Sequence, residues 1–154
     1  MKKIFSFAVV FVILLFLCAP AACAQGNVKS GPDPATIRDP ELEKDSLHNL
    51  EVARHYFKLK KAYVAALQRC EEILAGNPTF SKIDEVLLMA GESSLRLAEN
   101  KGKQSSKVAT DKLRDDARDY LSQLVNDYPD SKFKGAALED LKALGGPKPK
   151  ESKQ

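Results

Sequence analysis

Residues 47–80 read LHNLEVARHYFKLKKAYVAALQRCEEILAGNPTF, and the second half of this stretch recurs further along the chain. Ala66, Cys70, Ile73, Leu74 and Pro78 are matched, 51 residues on, by Ala117, Leu121, Leu124, Val125 and Pro129. A small residue, a large one, an apolar pair and a proline at fixed spacing, twice over, mark an internal repeat. Tyr63, Ala66, Leu67, Cys70, Ile73 and Leu74 follow helical spacing, Gln68, Arg69, Glu71 and Glu72 take the wet side, and Gly76-Asn77-Pro78 supplies the stop. Ahead of it Leu47, Leu50, Ala53 and Phe57 recur at three and four residues, so the stretch is a pair of helices joined by a turn. Ala66 is small where the two must approach, and a larger side chain there should overpack by roughly 1–3 kcal/mol.

Working outward, Asp39-Pro40-Glu41 offers a capping carboxylate, a proline at the first helical position and an acid in the first turn. The first helix should therefore span residues 40–60. Residues 81–99 form the next one, with Ile83, Leu87, Ala90, Ser94 and Leu97 on one stripe and Gly91 where a neighbour can come near. A loop with Lys101, Lys103 and Lys107 follows. The next helix turns Leu113, Ala117, Tyr120, Leu121, Leu124, Val125 and Tyr128 inward and ends at Asp127-Tyr128-Pro129. Asp130-Ser131 should cap a last helix whose Phe133, Ala137, Leu141 and Leu144 face the core.

At both ends the pattern is lost. Residues 1–24 carry Lys2 and Lys3, an apolar run from Ile4 to Leu17 and a small-residue end, which is the plan of a signal peptide. The protein should be exported, to the periplasm. Ala22-Cys23-Ala24 suits ordinary cleavage before Gln25, whereas Pro20-Ala21-Ala22-Cys23 resembles a lipoprotein box that would place a lipid anchor on Cys23 and tether the chain to the outer membrane; left uncleaved, the apolar run is just long enough to span a bilayer. Residues 25–39 are a glycine- and proline-bearing spacer, 40–145 the domain, and 146–154 a polar tail. The chain is 44% hydrophobic and 29% charged, a globular composition. Without the two leader lysines, 22 basic residues face 21 acids, too even a balance for a nucleic-acid partner.

The helix pair resembles the tetratricopeptide repeat (TPR), with Leu50, Ala53, Phe57, Tyr63, Ala66 and Pro78 on signature positions, and Arg54 and Lys61 where glycines are common. The phrases Asn77-Pro78-Thr79-Phe80-Ser81-Lys82 and Asp127-Tyr128-Pro129-Asp130-Ser131-Lys132 look like the joints of the BamD-like outer membrane lipoprotein family, and Met89-Ala90-Gly91-Glu92-Ser93 is similar to the opening helix of a following repeat there. The resemblance covers residues 46–144. It implies an all-α fold, a short tetratricopeptide-like stack of helical hairpins with about two repeats plus a C-terminal cap helix. Pro78 and Pro129 are 51 residues apart, and a standard period is about 34, so the second unit carries about 17 extra residues, in its loop and in a lengthened second helix.

In such repeats the outward side of the first helix lines a groove, which here presents His48, Glu51, His55 and Lys58. Two imidazoles and a carboxylate on one helix leave a metal's coordination shell open, and no second cluster completes it. These four are therefore assigned as a groove wall for partner binding, with no catalytic, cofactor-binding or metal residue. The Lys and Asn places of carboxylate-clamping repeats are taken by Glu51, Val52 and His55. Cys70 lies on the apolar stripe and should be a buried core thiol.

The resemblance implies a protein–protein or peptide-binding scaffold of the cell envelope, linked to outer-membrane protein assembly. The alternative is a structural subunit that completes its stack as a homo-oligomer or on a larger repeat protein. The intact mass of the mature chain from its own envelope separates the processing routes. A diacyl or triacyl mass starting at Cys23 identifies a tethered lipoprotein, and an unmodified mass starting at Gln25 a soluble one.

Overall fold

The computed structural model of the chain describes residues 38–150; the leader, Cys23, most of the spacer and the last four residues of the tail lie outside the described residues. Five α-helices follow one another there, with no strand among the described residues: α1 Pro40–Arg54, α2 Tyr63–Gly76, α3 Ile83–Ala98, α4 Thr110–Asp127 and α5 Lys134–Ala143. Each packs against the next in the chain, so the fold is an all-α stack of helical hairpins.

The start of α1 is set by Asp39, whose Oδ1 accepts from the backbone N–H groups of Glu41 (2.9 Å) and Leu42 (3.4 Å), satisfying two of the donors that a helix start leaves free. Glu41 and Glu43 in the first turn favour the positive end of the helix dipole. Beyond Arg54 the helix widens into a π-helical turn, His55–Lys60. It stops at Lys61, whose φ of 50° is left-handed, and the Tyr56 carbonyl accepts from the Ala62 N–H at 3.0 Å. A lysine thus holds a left-handed backbone conformation that glycine adopts more readily.

The turn after α2 is tied back to α1 through its polar atoms. Asn77 is buried, its Nδ2 donates to Ser46 Oγ (3.1 Å), and Ser46 Oγ donates to the Leu42 carbonyl (2.7 Å). The second turn works differently from the expected cap. Helix α5 begins only at Lys134 and has no side-chain cap. Ser131 Oγ instead donates to Asp84 Oδ2 at 2.6 Å and accepts from Phe133 N–H at 3.1 Å, which fastens the entry of α5 to the first turn of α3.

Two main apolar clusters fill the stack. Leu50, Ala53, Cys70, Ile73, Phe80, Val86 and Met89 pack between α1, α2 and α3. Leu87, Leu121, Leu124, Ala137 and Leu141 pack between α3, α4 and α5. Leu74, Tyr120 and Tyr128 touch both, so the clusters are continuous and the tyrosines are packing residues. A third group, Tyr63, Leu97, Ala98 and Leu113, closes the end nearest the α3–α4 loop. The extra residues of the second unit fall in that loop and in α4, which has 18 residues against 14 in α2.

The tail is more ordered than its composition suggests. Arg118 donates to the carbonyls of Gly146 (2.7 Å) and Gly145 (3.2 Å), Ser122 Oγ accepts from Lys148 N–H (2.8 Å), and Asn126 Nδ2 donates to the Lys148 carbonyl (2.9 Å). Lys148 Nζ also pairs with Asp115 (2.8 Å) and Asp119, and Lys150 with Asp127 (2.9 Å). Residues 145–150 therefore lie along α4 as a strap.

At Gly91 helices α3 and α4 come into close contact. A Cβ there would stand 2.6 Å from Leu121 Cγ and 2.7 Å from its Cδ2. Leu121 is fully buried, so a shift of its side chain would have to be taken up by the surrounding core. Gly91→Ala should therefore lower the unfolding free energy by about 1–3 kcal/mol, less up to ~1 kcal/mol returned by alanine's helix propensity. Urea denaturation checks this; an unchanged or raised midpoint would show that α3 and α4 separate freely.

Candidate functional site

The four residues assigned to the groove wall are all exposed, His48 and Glu51 on α1 and His55 and Lys58 on the π-helical turn, continuing the same stripe beyond Arg54. Among the described residues none of their side chains makes a hydrogen bond or ion pair. No three His, Cys, Asp or Glu side chains among the described residues come together as a metal-binding group. Two surface depressions occur elsewhere: one between Leu95, Glu99, Arg114, Arg118 and Leu144, the other between Glu71, Leu74, Pro78, Ile83 and Tyr120. Neither includes His48, Glu51, His55 or Lys58.

The stripe does adjoin a set of charges from α3 and α5 that the sequence did not single out. Arg54, next to the stripe, makes a two-pronged pair with Glu85 of α3: Nε to Oε1 and Nη2 to Oε2, both 2.7 Å. The fork geometry fixes one helix against the next as well as attracting it. The hydrogen bond from Arg54 holds the Glu85 carboxyl below its usual range, despite partial burial, and raises the Arg54 guanidinium in turn.

Two turns along α3 the balance reverses. Glu92 is half-buried and has no hydrogen-bond or ion-pair partner among the described residues. Burial pushes its carboxyl up, the Asp140 carboxylate of α5 adds to the rise, and Arg96 and Lys58 oppose it. Asp140 is raised too, by burial first and then by Glu139 and Glu99, against the pull of Arg96. Lys58, Glu92, Arg96 and Asp140 therefore form a charged surface drawn from the π-helical turn, α3 and α5. Of the four assigned residues, Lys58 joins this surface; His55 on the π-helical turn and His48 and Glu51 on α1 continue the stripe away from it.

Such a surface suits reversible recognition of a polar or charged chain. A half-buried carboxylate without a donor gains most when a partner brings one, because the desolvation is already spent. The Cys70 thiol offers no comparable chemistry. It is fully buried, and burial pushes it up to about 12, which keeps the nucleophilic thiolate scarce at neutral pH.

Comparison with family models, curated proteins and solved structures finds no match to this chain. No helix among the described residues is long and apolar enough to cross a membrane.

The Arg54–Glu85 pair has a definite pH signature. A carboxyl whose pKa is depressed on folding contributes stability above its unfolded pKa and loses it as pH falls through the folded value. Glu85→Gln should cost about 1 kcal/mol at neutral pH, and its difference from the unaltered chain should shrink on acidification below the ordinary glutamate range. Urea midpoints measured across that range test it. A gap that widens in acid would mean the pair does not govern Glu85.

Proposed function

We propose that the protein is an exported helical-repeat scaffold that binds a protein or peptide partner in the cell envelope, in the manner of the TPR-containing, BamD-like lipoproteins its joints resemble, and serves outer-membrane protein assembly. The observation that carries the partner-binding part of this reading is Glu92, half-buried on the α3 side of the charged surface with no donor of its own among the described residues. A stack of hairpins offers a partner a rigid row of side chains from successive helices. Here that row runs from His48, Glu51 and His55 through Lys58 to Glu92, Arg96 and Asp140. Its mixed charge favours a segment with both basic and acidic side chains over a purely apolar one.

Localisation and anchoring follow from the leader and belong to the same proposal: export to the periplasm, with Cys23 as the attachment point if a lipid is added.

A photoreactive residue introduced at Lys58 or His55 in the full chain, expressed in its own envelope, should give a discrete adduct with one protein. The same residue at Glu72, exposed on α2, should not. Glu51→Lys and Lys58→Glu are changes at exposed positions, and together they should reduce the adduct from position 55 several-fold without altering the thermal midpoint. Equal adducts from positions 58 and 72, or no effect of the double reversal, would overturn the assignment of this face.

A further inference from the structure

One end of the stack has a composition unlike the rest. The π-helical turn and the residue that stops it carry Lys58, Lys60 and Lys61, and the α3–α4 loop carries Lys101, Lys103 and Lys107, all exposed. The two segments are physically joined. Lys103 N–H donates to the Lys61 carbonyl at 3.2 Å. Gly102, at φ 103°, lies so close that a Cβ would stand 2.7 Å from the Lys61 oxygen and 2.7 Å from the Tyr63 ring. Only glycine fits there without strain, so the loop is seated against the end of the first hairpin.

Residues 58–61 and 99–109 hold six lysines and one carboxylate, Glu99, whose Oε2 is 2.8 Å from Lys101 Nζ. The other described residues hold 14 lysines and arginines against 18 carboxylates. The domain is close to neutral overall, but its charge is divided, with the positive excess at this end.

Among the lysines stand two large apolar side chains that the fold does not use. Leu59 is 72% exposed, the highest of the exposed large apolar residues, and Val108 is 47% exposed. The π-helical turn places Leu59 between Lys58 and Lys60, and Val108 directly follows Lys107.

We infer that this lysine-rich end, with its exposed Leu59, docks on the surface of an anionic lipid bilayer. Phosphate headgroups match the positive excess, and the acyl layer just beneath them accepts Leu59 and Val108. The apolar tips favour a bilayer over a soluble acidic segment, which would supply charge but leave Leu59 in water. This inference does not rest on the charged face of α3 and α5 or on lipid at Cys23.

Binding of the full chain to vesicles tests it, using phosphatidylcholine alone and phosphatidylcholine mixed with phosphatidylglycerol. The chain should bind the mixed vesicles more tightly, and added salt should weaken that preference. Each lysine at an anionic surface is worth about fivefold in binding, so Lys60→Gln, Lys103→Gln and Lys107→Gln together should weaken the mixed-vesicle affinity about a hundredfold. Binding to neutral vesicles, through the leader or otherwise, should not change. Leu59→Ser should weaken mixed-vesicle binding about tenfold. All four positions are exposed, so thermal midpoints should stay put. Indifference of the unaltered chain to phosphatidylglycerol, or a triple variant that binds as before, would overturn the inference. So would lysine-dependent binding of polyglutamate with no lysine-dependent binding of vesicles, which would assign the end to an acidic protein.

Discussion

The contact of Leu121 with the bare backbone at Gly91 sets how close α3 and α4 can lie, and the arrangement of the stack follows from it. Helices that meet at a glycine gain dispersion contacts along their whole length, since the neighbouring small residues Ala90 and Ala117 are also fully buried. That closeness brings Leu87 onto Leu121 and Leu124, and lets Tyr120 and Tyr128 bridge the two apolar clusters. It has a cost in the same helix. Ser93 and Ser94 are fully buried, and their hydroxyls find no partner among the described residues, a desolvation the tight packing must offset.

Much of this was legible in the chain because helical packing is periodic and local. The paired alanines, Ala66 and Ala117, and the prolines that follow them, recur at one spacing, and both alanines are fully buried. Asp39 caps α1 as its type and place suggested. Ser131 did not behave as its type suggested, because a hydroxyl can serve a helix start or a distant carboxylate equally well, and Asp84 is 47 positions away. The π-helical turn leaves no mark in a pattern of apolar residues. The strap at residues 145–150 was also hidden: polar composition reads as a free tail, and its bonds go to Arg118, Ser122 and Asn126 on one side of α4.

The candidate site was legible only in part, for a related reason. His48, Glu51, His55 and Lys58 share one stripe and can be read off a single helix. Glu92, Arg96 and Asp140 meet Lys58 only after three segments are stacked, and nothing in their local sequence sets them apart from other charged residues on wet helix faces. Burial is what distinguishes them, raising two carboxyls where the salt-bridged Glu85 is lowered. Arg54 shows the same limit. Nothing in its neighbours along the chain marks it out, and its use became visible only with Glu85 opposite.

Cys70 can serve as an internal clock for the first hairpin. Its thiol is sealed between α1, α2 and α3 and is shifted far toward the protonated form. An alkylating reagent can reach it only when those helices part, so its rate of modification would count openings of the core rather than any reactivity of the sulfur. A residue with no evident chemistry of its own can thus report how often the helical stack opens.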